Sequence, residues 1–197
     1  MRTIKFNFVF IIVLLLVFSS CDYQDLKQEL QYELPAITET GENTFGCVVD
    51  SEVLIPRKGV VGNHTFSRTP VEMPLSYTLS SSGILLIEAG NYEAGNNDGI
   101  SLTIKGLEGL ANNHYVLGQI REYKYLEDLG YSYAAISKNN NIYFSTEKSG
   151  SIRVTRFDEE VLSGTFQFVA VNKDDETDII EVYNGRFDIN LKTLLLK

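Results

Sequence analysis

Beyond Asn43 the chain is a succession of short runs rich in Val, Ile, Tyr, Phe and Thr, separated by turn residues about every eight to twelve positions. FGCVV (residues 45–49), EVLIP, LSYTL, GILLIEA, ISLTIKG, HYVLG, YSYAAIS, NIYFSTE, SIRVTRF, GTFQFVAV and DIIEVYNGRFDINL read as strands, and SSSG, KNNN, KSGS and KDDETD as turns between them. Apart from an ambiguous QIREYKYLEDL, no window longer than about ten residues here carries a helical period. The pattern predicts a single all-β, antiparallel domain over residues 43–197. It would fold as a β-sandwich or, alternatively, as a closed up-and-down or lipocalin-like β-barrel.

The C-terminal arm is the most legible part. In GTFQFVAV the residues Phe166, Phe168 and Ala170 share one face. Asn184-Gly185 has the composition of a tight hairpin turn. However, the strand from Gly164 to Val171 needs an equally long partner, which Ile179 to Arg186 supplies only if the chain runs straight through that dipeptide. The expectation is a glycine β-bulge at Gly185 with φ > 0, turning Phe187, Ile189 and Leu191 inward and Arg186, Asp188 and Asn190 outward.

Ahead of this domain the pattern changes. Phe8 to Phe18 is an unbroken apolar run that, as a helix, would span roughly 16 Å, about half of a hydrocarbon core. Arg2 and Lys5 precede it, Ser19, Ser20 and Cys21 follow it, and no Lys or Arg appears until Lys27, so residues 1–21 read as a cleaved export signal. FSSC resembles the lipobox, in which the cysteine sulfur receives a diacylglycerol and becomes the new N-terminus, although Phe18 stands where Leu is usual. That resemblance implies a lipid anchor on Cys21, the membrane as partner, and a location in the cell envelope at the outer membrane. Residues 22–42 form a polar tether in which Tyr23, Leu26, Leu30 and Leu34 have helical spacing before Pro35.

Composition narrows the chemistry. Seventeen basic residues face 26 acidic ones, for a net charge of −9. Loss of the signal with Arg2 and Lys5 deepens this to −11. No stretch concentrates Lys and Arg, which argues against nucleic-acid binding. With Cys21 lipidated, Cys47 has no partner, and its apolar neighbours predict an inert, buried thiol. His64, His114 and Cys47 each stand alone, so no metal or cofactor is expected. GYSYA (130–134) half-resembles the Gly-x-Ser-x-Gly elbow of serine hydrolases, but strand, turn and strand follow it where that elbow needs a helix. Asp174, Glu176 and Asp178 mimic the alternate carboxylates of a calcium loop, yet Ile179 and Gly185 occupy the positions where glycine and a bidentate acid are required. No catalytic constellation is visible, and the chain reads as a non-enzyme. The one unusual density is tyrosine, where Tyr123, Tyr125, Tyr131 and Tyr133 are candidates for a ligand-binding face, set against the packing role tyrosines play in any antiparallel sheet.

LPAITETGENTFGCVVDSEVLIP near the start and LSGTFQFVAVN…IIEVYNGRFDI at the end resemble the two ends of an uncharacterised family of Bacteroidetes envelope lipoproteins, built of a lipobox, a short linker and one β domain. The resemblance implies the localisation and the fold class and no activity. The expected function is a non-catalytic accessory or interaction protein with an unknown protein or glycan partner. Its alternative is a module binding a small molecule or glycan on the tyrosine-rich face or inside a barrel, and a hydrolase ranks third. If Cys21 carries the lipid, Cys21→Ser abolishes acylation and lipoprotein-specific cleavage, and intact-mass measurement of the membrane form shows whether the mature chain begins at a diacylglyceryl cysteine.

Overall fold

The computed structural model describes residues 33–61, 69–71, 74–93, 97–107, 113–120 and 130–194. They form twelve strands, β1 (Thr44–Val49), β2 (Glu52–Leu54), β3 (Gly59–Val61), β4 (Thr69–Val71), β5 (Leu75–Leu79), β6 (Ile84–Asn91), β7 (Asp98–Lys105), β8 (Asn113–Val116), β9 (Tyr133–Lys138), β10 (Asn141–Phe157), β11 (Val161–Asn172) and β12 (Ile179–Asn190). Ten belong to one antiparallel sheet in the order β2-β1-β12-β11-β10-β9-β7-β6-β5, with β8 on the second half of β10, and β3 and β4 make a separate hairpin. The sheet curls into a half-barrel, so the expected antiparallel all-β class holds.

Curling follows from where the apolar residues fall. Alternate positions of β11 and β12, among them Leu162, Phe166, Phe168, Ala170, Ile180, Val182, Phe187 and Ile189, face one side and join the apolar faces of β1, β5, β6, β7, β9 and β10 in a single cluster. A flat sheet would leave that face in water. Three ties link the two halves: the Tyr77 hydroxyl donates to the Leu191 carbonyl at 2.7 Å, Lys138 pairs with Glu52 at 2.9 Å, and Arg57 forms a parallel bridge with Asn91. The interior is filled with side chains, and Cys47 lies within it, fully buried.

NIYFSTE and SIRVTRF, expected as two strands, are one. β10 runs through KSGS by means of a local excursion at Thr146–Ser149, where pairing with β11 jumps from Ser145↔Ala170 to Gly150↔Phe168. Lys148 takes φ 58°, and the Ser149 hydroxyl closes the excursion by accepting from the Thr146 amide and sharing its one hydrogen between the Thr146 and Val169 carbonyls. Before this point β10 pairs with β9, and after it with β8. The β3–β4 hairpin was not expected, and most of QIREYKYLEDL lies outside the described residues.

β12 does run straight through Asn184-Gly185. It carries one extra residue between Val182 and Gly185 against β11, and between Tyr183 and Arg186 against β1. The left-handed residue of this bulge is Asn184, with φ 52°, whereas Gly185 is not in the positive-φ region, which corrects the expectation. Asn tolerates the left-handed well because its short amide can bond locally. Gly185 is needed for room: a Cβ there would lie 2.4 Å from ring carbons of Phe166, its cross-strand partner. Gly164 plays the same part opposite Phe187, where a Cβ would lie 2.5 Å from that ring. Each phenyl thus lies across its neighbour's glycine, and Phe45, Phe166 and Phe187 make an aromatic core with centroid separations of 5.3 and 6.5 Å.

Gly185→Ala should therefore lower stability by about 1–3 kcal/mol through overpacking against Phe166. Asn184→Gly, which suits the same φ, should change it by less than about 0.5 kcal/mol. Urea midpoints of the two variants check the assignment, and the opposite order would return the strain to Gly185.

Candidate functional site

Asp188 was expected to face solvent from β12. It does lie on the outer face, yet it is only 1% exposed, because the residues before β1 cross over it. The hydroxyls of Thr38 (2.7 Å) and Ser163 (2.6 Å) and the amides of Thr40 (3.1 Å), Gly41 (2.9 Å) and Glu42 (3.2 Å) all donate to its carboxylate. Burial alone would raise the pKa of this group. The bonds from Ser163, Thr38, Gly41 and Glu42 outweigh it and hold the carboxyl at about 2. Gly41 takes φ +79°, a left-handed turn that helps aim successive amides at one acceptor. The compact unit begins at Glu33 and includes these residues. Residues 34–42 are a strap on the outer wall, further held by Arg156 donating to the Glu39 carbonyl and Arg186 to the Pro35 carbonyl.

Beside the strap the wall opens into a trough of about 350 Å³. Strand register sets its floor. His114 of β8 opposes Arg153 of β10, Arg153 opposes Thr165 of β11, and Thr165 opposes Arg186 of β12, so three basic side chains and a hydroxyl stand in one row across four strands. Ser151, Gln167 and Asn184 line the same trough, and Ile37 of the strap flanks it. Arg153 and Arg186 are two strand spacings apart, about 10 Å at the backbone. Arg186 is fixed by its Nε and Nη2 donating to the Asn184 carbonyl (3.1 and 3.0 Å) and its Nη1 to the Pro35 carbonyl (3.0 Å). Among the described residues no carboxylate ion-pairs with Arg153, Arg186 or His114, in a chain where acids outnumber Lys and Arg 26 to 17.

Of the four tyrosines of the expected ligand face, Tyr131 and Tyr133 are among the described residues. Tyr133 is buried in a small outer-wall cluster with Ile120, Ala135 and Phe144. Tyr131 is 41% exposed and its hydroxyl donates to the Gln119 carbonyl at 2.6 Å, holding the segment after β8. Tyr123, Tyr125, Cys21 and His64 lie outside the described residues. Burial pushes the Cys47 thiol up to about 12, which leaves it protonated and unreactive. Asp178 accepts from Tyr143 (2.9 Å) and Asn172 (2.8 Å), and Asp175 from Thr177, so these acids of KDDETD shape a hairpin turn. Among the described residues no His, Cys, Asp and Glu cluster could hold a metal ion.

A family model covers residues 74–188, more than half of the chain, from just before β5 to the buried carboxylate itself. The protein belongs to DUF6252, a domain of unknown function. The DUF6252 match includes His114, Arg153, Thr165 and Arg186 and stops short of the strap on its N-terminal side. No curated protein and no solved structure matches the chain. Sequence reasoning missed the row because its members come from four strands far apart in the chain. The alternation of Arg153 with Ile152 and Val154, and of Arg186 with Phe187, was the available signal.

The Asp188 clasp makes a pH-dependent contribution. Its pKa of about 2 lies below the ordinary 3.8, so the stabilisation is complete at neutral pH and fades as the pH falls through about 2. Asp188→Asn should cost about 2–3 kcal/mol at neutral pH. The gap to the wild type should narrow as the pH drops from about 4 towards 2, which urea titrations across that range will show.

Proposed function

We propose that this is a lipid-anchored, non-catalytic binding protein of the cell envelope that meets an anionic partner on the outer wall of β8, β10, β11 and β12. The observation that carries the reading is the row of His114, Arg153 and Arg186, built on paired strands and lacking acidic partners. Two guanidiniums without carboxylate partners attract an anion, and arginine offers the fixed donor geometry suited to carboxylate or phosphate. The filled interior of the half-barrel favours the wall over the cavity of a lipocalin-like binder. The apolar run ending at Cys21 supports the anchor, and outer-membrane attachment follows from the same resemblance.

The test is a photo-crosslinking amino acid at Gln167, within the trough, against one at Asp175, in the distant turn after β11. In cells, Gln167 should give an adduct that Arg153→Glu abolishes, and Asp175 should not. Equal adducts from the two positions, or none from Gln167, would remove the wall as the working surface.

A further inference from the structure

We propose that the trough takes an acidic glycan, a sugar chain bearing carboxylates, lying across the strands along the His114–Arg153–Thr165–Arg186 row. This rests on the wall being the binding surface and names the class of partner it serves. Two features select the class. First, the cations are interleaved with neutral groups that both donate and accept: Ser151 and Thr165 hydroxyls, Gln167 and Asn184 amides. A surface meant only for charge would need none of these, whereas sugar hydroxyls require such partners between the sites that hold carboxylates. Arg186 has three of its five N–H groups occupied by carbonyls, which leaves two for a ligand and fixes where they stand. Arg153, exposed and bonded to nothing among the described residues, supplies the second grip about 10 Å away.

Second, the alternatives fit the floor less well. An extended peptide gains its affinity from unpaired backbone groups at a sheet edge. Here β10, β11 and β12 are each paired on both sides, so the floor between Arg153 and Arg186 presents side-chain heads, and a backbone edge is left only at β8, at one end of the row. A folded protein partner is anchored by aromatic or aliphatic groups in apolar pockets. The trough has one exposed apolar flank, Ile37, and Phe166 beneath it is 3% exposed. A cation is excluded because no carboxylate lines the trough.

The experiment titrates the mature, detergent-solubilised protein with oligogalacturonate, with the same oligomer fully methyl-esterified, and with oligoglutamate of matched charge. Oligogalacturonate should bind at least tenfold more tightly than either of the others. Arg153→Glu should weaken it at least tenfold, and Arg153→Lys less, at unchanged melting temperature. Equal binding of oligoglutamate would mean that the row reads charge alone. Equal binding of the ester would mean that charge is irrelevant. Absence of binding, or indifference to Arg153→Glu, would overturn the assignment outright. The crosslinking from Gln167 separates the two levels: a protein adduct there with no glycan binding would retain the wall and refute the glycan.

Discussion

A carboxylate stripped of water must be met by donors, and Asp188 is where this domain is organised around that requirement. It stands on the outer face of β12, where a charged residue would normally be solvated, and the chain itself provides the solvent's replacement. Three backbone amides and a threonine hydroxyl come from a strap far away in sequence, and Ser163 comes from the next strand. Because an unpaired buried charge is so costly, the strap cannot leave without exposing Asp188 again to water. Its course is thereby fixed, and with it Pro35, whose carbonyl holds Arg186, and Ile37, which flanks the trough.

The bulge in β12 connects core and surface. One extra residue at Asn184 restores the alternation of side chains after Val182, so that Phe187 and Ile189 fill the interior while Arg186 and Asp188 reach the outer wall. If the same residues ran through as a regular strand without the bulge, the parity would invert, and Arg186 and Asp188 would enter an aromatic core. The glycines at 164 and 185 make that core possible by yielding the space the Phe187 and Phe166 rings occupy.

Much of this was legible from alternation alone. GTFQFVAV and the return arm read correctly as a long antiparallel pair, and Cys47 as buried, because period-two patterning reports directly on one buried face. The strap was not legible. Thr38, Thr40 and Gly41 have no periodicity, and their role is set by a carboxylate some 150 residues away. Nor was the continuity of β10, since KSGS has the composition of a turn and is used as an excursion within a strand. The row of His114, Arg153, Thr165 and Arg186 escaped for a related reason: each member looks like an ordinary outward residue of its own strand, and only register brings them together.

The position of β12 has a temporal consequence. The last strand lies between the first and the eleventh, and β1 finds its main partner only there. A chain that emerges amino terminus first, from a ribosome or through a pore, therefore holds β1 and β11 with facing edges unpaired until β12 is out. Contacts of such long sequence separation are slow to form, and open edges invite pairing with neighbouring molecules. The sheet is thus completed late, and its most vulnerable interval is the one just before β12 slots into the gap.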